Sequence, residues 1–120
     1  MDAVVDKINK QYVPRQAERK RVRLTLEMQD SQTSQIVGRV LDLSIDGFML
    51  LAKQEVKPNQ QYEFILNLSE AIKFNKTIQL TVECRWCQPS NTAGYFGAGF
   101  TVSNVAPMQR ESWKQLVDEF

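Results

Sequence analysis

Apolar and polar residues alternate with a period of two along most of this chain, and the period changes only near its end. Val22, Leu24, Leu26 and Met28 are interleaved with Arg23, Thr25, Glu27 and Gln29, which predicts a strand with one buried face. The polar run Asp30-Ser31-Gln32-Thr33-Ser34 is a turn, and Gln35 to Leu43 is a returning strand with Val37, Leu41 and Leu43 on one face. Ile45-Asp46-Gly47 ends it, with Gly47 expected to supply a positive φ. Phe48 to Ala52 is a short third strand, and Pro58-Asn59 marks the turn before a fourth, carrying Tyr62, Phe64, Leu66 and Leu68. Ser69 to Asn75 is a connection with room for one helical turn. Ile78, Leu80, Val82, Cys84 and Trp86 form the longest alternating run, with Trp86 in phase with the core positions. Pro89 to Thr92 turns the chain, and Tyr95 to Val102 is the sixth strand.

From Pro107 the spacing becomes helical. Trp113, Leu116, Val117 and Phe120 share one face, and Lys114, Asp118 and Glu119 lie opposite. Proline suits the first turn of such a helix. Six short strands separated by turn signals, then one amphipathic helix, predict a mainly β protein: a small six-stranded antiparallel β-barrel with a C-terminal α-helix over one open side. Residues 15–120 form this domain, and residues 1–14, with Val4, Val5, Ile8 and Tyr12 at helical spacing before Pro14, form an N-terminal arm or short helix.

Composition narrows the function more than the fold. With 120 residues and 42% hydrophobic content the chain can bury a core as a single domain. No run approaches a membrane span. The opening MDAVVDKINK lacks the apolar stretch and cleavage site of a secretory signal, so a cytoplasmic protein is expected, with no direct membrane insertion. Histidine is absent, which removes the usual general base and the commonest metal ligand. Cys84-Arg85-Trp86-Cys87 is a CxxC, but one pair without further Cys or His cannot close a zinc shell. Strand alternation also sets residues three apart on opposite faces, so the pair reads as incidental. Ser44 has no histidine to activate it and no G-x-S-x-G frame. No enzyme, metal or cofactor is expected.

Charge is concentrated rather than abundant. The net charge is +1, yet five of the 15 basic residues (Arg15, Arg19, Lys20, Arg21 and Arg23) fall within nine positions. At the far end of the first predicted hairpin stands Asp42-Leu43-Ser44-Ile45-Asp46-Gly47, a DxSxxG turn. A hairpin of that length returns Asp42 to the neighbourhood of Arg23. Guanidinium forks, a carboxylate and a hydroxyl at one end of a sheet suit a ligand that is both anionic and rich in hydrogen-bonding edges.

RxxxR at Arg19–Arg23 followed 19 residues later by DxSxxG resembles the signature of the PilZ domain family. The strand count, the GAGF segment and the terminal helix are similar to that family's layout over residues 15–120. The resemblance implies a receptor for the bacterial second messenger cyclic di-GMP. By position in the motifs, Arg19 and Arg23 would take phosphate or guanine O6 and N7, and Asp42 the guanine N–H groups. Ser44 would meet the other polar edges, and Gly47 would let the backbone turn tightly. Arg15-Gln16-Ala17-Glu18-Arg19 is a second RxxxR in the same run. The register Arg19/Arg23 fits because the second arginine of the family motif directly precedes the first strand. Arg15, Lys20 and Trp86 are auxiliary candidates. Ligand binding would order the N-terminal arm and signal to a protein effector in motility, biofilm or exopolysaccharide control.

Other readings remain beside this one. A PilZ-like adaptor that does not bind the nucleotide, as in type IV pilus assembly, would keep the barrel. DxSxDG resembles the start of an EF-hand loop, but Lys53 stands where a bidentate glutamate belongs and the flanks are strands. Asp42 and Ser44 are also ordinary turn-closing residues. Single-stranded DNA or RNA binding would need aromatics within the cationic run, which has none, so no nucleic-acid partner is expected.

Overall fold

The computed structural model describes residues 20–21, 26–68 and 77–119. The candidate residues Arg15, Arg19 and Arg23, the N-terminal arm, the 69–75 connection and Phe120 lie outside the described residues. Seven strands are present: β1 (Lys20–Arg21), β2 (Glu27–Asp30), β3 (Ile36–Ser44), β4 (Gly47–Ala52), β5 (Gln61–Asn67), β6 (Thr77–Pro89) and β7 (Phe96–Val105). A 3-10 turn at Pro107–Gln109 leads into α1 (Arg110–Glu119).

All pairings are antiparallel. In sheet order β2, β5, β6, β7, β4 and β3 follow one another, and β3 pairs back onto β2, which closes a six-stranded barrel. The two residues of β1 pair with the far end of β3, on the edge that β2 occupies at its near end. The 30–34 turn between β2 and β3 is held by Asp30, whose Oδ1 accepts from the backbone N–H of Gln32 (2.7 Å) and Thr33 (3.2 Å).

The barrel interior is filled from alternate positions, as the sequence pattern requires. Leu26, Met28, Leu43, Phe48, Leu50, Leu66, Ile78, Val82, Cys84 and Phe100 are completely buried. Phe100 is the centre of an aromatic group, with ring centroids 5.1 Å from Phe48 and 5.4 Å from Phe64. The terminal helix closes the open side as predicted, burying Trp113, Leu116 and Val117 in the same core. Its base is fixed by Gln109, which accepts from Gln79 N (2.6 Å) and donates to the Thr77 carbonyl (3.0 Å) on β6.

Expectations fail at three places, two of them β-bulges. Between Val40 and Asp42 the β3–β4 register slips by one, so Val40 and Leu43 enter the core while Leu41 is only half-buried. Between Cys84 and Trp86 the β6–β7 register slips again, with Arg85 as the extra residue. Trp86 therefore leaves the phase of Leu80 and Val82 and packs apart from the main core, against Met49. The same slip puts Cys84 and Cys87 on the same side, both packed on the barrel core, where simple alternation had set them opposed. The third correction concerns Gly47. Gly94 is the one glycine with positive φ among the described residues, so Gly47 needs no left-handed backbone.

Candidate ligand-binding face

The DxSxxG segment forms the hairpin end joining β3 to β4. Ser44 and Gly47 are ladder partners, so Ile45 and Asp46 make a two-residue turn. Neither has a positive φ, which excludes the primed turn types usual at such tight hairpins. The turn is held from several sides instead. The hydroxyl of the fully buried Ser44 donates to Asp46 Oδ1 at 2.6 Å, with the Gly47 carbonyl at 3.4 Å as an alternative acceptor. Val102 N donates to the Asp46 carbonyl at 3.0 Å. The indole N–H of Trp113 on α1 donates to the Ile45 carbonyl at 3.1 Å. The terminal helix is thus tied directly to the motif turn, 68 residues away in sequence.

Strand register places the backbone of Lys20 and Arg21 beside this turn. Lys20 pairs with Leu43 and Arg21 with Asp42. Asp42 pairs on its other side with Met49, Met49 with Gly99, and Gly99 with Trp86. These pairings form one row across the outside of the barrel, with Asp42 and Trp86 three strand spacings apart, about 15 Å along the sheet. Trp86 lies flat on that row because the positions beneath it have no side chains. A Cβ on Gly97 would sit 3.6 Å from Trp86 Cζ3, and one on Gly99 would fall onto the indole nitrogen. Met49 borders the ring, its Cε 3.7 Å from the same point above Gly97.

Of the residues expected to bind a ligand, Asp42, Ser44 and Gly47 come together at one barrel end beside the backbone of Lys20. Trp86 shares their outer face. The sequence reading missed Met49, Gly97, Gly99 and Trp113. The Gly97-Ala98-Gly99 alternation was the available signal, since two glycines on one strand face mark a close approach. Nothing in the sequence announced the tether from Trp113.

The cysteines are chemically quiet. Burial, with the neighbouring Cys87 thiol adding to it, pushes Cys84 up to about 12, and burial raises Cys87 as well. Cys84 Sγ donates to the Trp86 carbonyl (3.4 Å), and Cys87 Sγ accepts from Val56 N (3.3 Å). Thiols held in this form are poor nucleophiles and poor metal ligands at neutral pH. Among the described residues no cluster of three His, Cys, Asp or Glu side chains could hold a metal ion. Among the same residues no helix is long and apolar enough to cross a membrane.

Residues 14–119 match the PilZ domain family. The chain belongs to that family. Three solved PilZ-like structures share its fold at low identity. The PilZ domain of YcgR from Escherichia coli, solved with cyclic di-GMP, is 12% identical with a TM-score of 0.64, covering 87% of this chain and 88% of that one. The MrkH–cyclic di-GMP complex of K. pneumonia is 12% identical with a TM-score of 0.71, covering 88% of this chain and 52% of MrkH. The Bacillus subtilis inhibitor of motility MotI is 14% identical with a TM-score of 0.64, covering 88% and 50%. The chain therefore spans about half the length of MotI and MrkH. No curated protein matches it.

Proposed function

We propose that this PilZ domain is a non-enzymatic cyclic di-GMP receptor whose ligand lies between the basic segment and the DxSxxG turn. The observation that carries the reading is the pairing of Lys20 and Arg21 with Leu43 and Asp42. It brings the backbone of Lys20 and Arg21, two residues from within the RxxxR segment, alongside Leu43 and Asp42. Cyclic di-GMP bound in the YcgR and MrkH structures supports the same ligand here. Guanidinium groups from Arg19 and Arg23 fork onto phosphate or guanine edges, with Arg15 and Lys20 adding charge. Asp42 accepts from guanine N–H groups. Ser44 acts first through Asp46, holding the turn that presents Asp42. Ligand binding orders residues 15–23, and a protein effector reads the changed surface.

Calorimetry with cyclic di-GMP tests this. Arg23→Ala should weaken binding by about 10- to 150-fold, the worth of one charge-assisted contact at roughly 1.5–3 kcal/mol. Amides of residues 15–23 should gain protection from hydrogen exchange when ligand is added. A wild-type protein that gives no heat with the dinucleotide would remove the receptor reading and leave the adaptor one.

A further inference from the structure

The two ends of the barrel are closed by different means. At the motif end α1 seats Trp113, Leu116 and Val117 in the core. The other end carries the 30–34 turn and the 53–60 loop, and there Val56 enters the core from the loop. Beside Val56 a pocket of about 290 Å³ stays open. Val37, Tyr62 and Phe64 complete its apolar wall, with the Tyr62 and Phe64 rings stacked at 5.5 Å. Ile36, 38% exposed, carries the apolar surface out to the rim. Both sides of the mouth are pinned by hydrogen bonds that need no occupant. On the loop side Lys53 N donates to the Val37 carbonyl (3.4 Å), Val56 N to Cys87 Sγ (3.3 Å) and Asn59 N to the Cys84 carbonyl (2.7 Å). On the turn side Asp30 N donates to the Gln35 carbonyl (2.9 Å), and Asp30 Oδ1 holds the Gln32 and Thr33 amides. The pocket is thus formed in advance, which lowers the cost of filling it.

Size and charge select the occupant. Sites for whole small molecules run from roughly 300 to 1,000 Å³, so this pocket is at the bottom of that range and suits one large side chain. Its rim carries two carboxylates, Asp30 and Glu55, with one cation, Lys53. None of the three forms an ion pair among the described residues, so the rim is net negative and its charges are unspent. We propose that this barrel mouth docks an extended segment of a protein partner, one that presents an aromatic or long aliphatic side chain with an arginine or lysine next to it. The apolar side chain fills the pocket against Val56, Tyr62 and Phe64. Its basic neighbour meets Glu55 and Asp30, and the flanking chain lies on Ile36. An anchor in a desolvated pocket, ringed by polar groups, is where small interfaces gain most of their affinity. The mouth and the DxSxxG turn are at opposite ends of β3, roughly 25 Å apart along the strand. Docking here leaves the motif face clear, and it stands or falls separately from the receptor reading.

Amide NMR shifts of the isotope-labelled full chain, titrated with capped dipeptides, decide it. The probes are acetyl-phenylalanyl-arginine amide, acetyl-phenylalanyl-glutamate amide and acetyl-glycyl-arginine amide. The first should give saturable shifts at Val37, Val56 and Tyr62 with a Kd on the order of 1 mM. The glutamate probe should bind about fivefold more weakly, the worth of one surface ion pair. The glycyl probe should leave those amides unmoved. Glu55→Lys reverses the sign of the rim charge and should invert the order of the two phenylalanyl probes. Because Glu55 is exposed, that variant should melt at the wild-type temperature, so its preference reads contact rather than folding. No shifts at about 10 mM of the first probe, or shifts confined to residues outside the pocket, would overturn the proposal. Equal binding of the arginine and glutamate probes would overturn it too, since charge would not select. So would a glycyl probe that binds as well as the phenylalanyl ones, since the anchor would then contribute nothing.

Discussion

Two adjacent rows cross the same four strands, and they are built on opposite rules. The inner row runs Leu43, Phe48, Phe100 and Cys84, all fully buried. The outer row runs Asp42, Met49, Gly99 and Trp86. Inside, every position carries bulk, because a closed barrel leaves a volume that only side chains can fill. Outside, a glycine stands where bulk would be tolerated by solvent, and a tryptophan lies across the gap. A bulge on β6, with Arg85 as the extra residue, separates the two rows on that strand, and the β3 bulge lies just beyond the outer row. The inner row holds the barrel together; the outer row seats the Trp86 ring on glycine, in line with a carboxylate and the backbone of Arg21. Stability and the proposed ligand chemistry thus fall on opposite faces of the same strands.

That division can be broken from either side. The largest effect belongs to the inner row. Phe100→Ala should cost roughly 3–5 kcal/mol, because the ring contacts both Phe48 and Phe64 and leaves a cavity the barrel cannot close. Urea denaturation measures it, and a loss under about 1 kcal/mol would mean the aromatic group is not the keystone described. Gly99→Ala tests the outer row. The new methyl group collides with the Trp86 indole, which must lift from the sheet, at a cost of about 1–3 kcal/mol. In a Trp113→Phe background Trp86 is the only remaining tryptophan, and its emission should shift to the red; an unchanged spectrum would show that the ring does not depend on the glycine.

The smallest effect joins the two faces. Trp113→Phe keeps most of the buried ring but removes the N–H bonded to Ile45 O, at about 1 kcal/mol. Hydrogen exchange should quicken at residues 44–47 more than in β5 or β6. Uniform quickening would mean that the helix does not specifically hold the motif turn.

Much of this protein was legible in its residues. Two-residue periodicity gave most of the barrel strands, a short apolar run gave β4, and helical spacing gave the buried face of Trp113, Leu116 and Val117, because burial is a local pattern repeated along the chain. The basic run and the DxSxxG turn also stood out, since their chemistry is carried by residue type. What failed was phase beyond a bulge. Whether Arg85 is an extra residue depends on how β6 pairs with β7, and no alternation within β6 records its partner's register. Trp86 and Cys87 were misassigned for that reason alone. The backbone of Gly47 and the bond from Trp113 to Ile45 were equally out of reach.

The order of hydrophobic and polar residues therefore determined the barrel, its capping helix and the chemical types available to a ligand. Tertiary pairing decided which of those residues meet: it set Arg21 beside Asp42, laid Trp86 over two glycines and put Arg39 one row away from the motif. Alternation is fixed by covalent geometry within a strand, whereas a lateral row exists only once separate strands have settled into register.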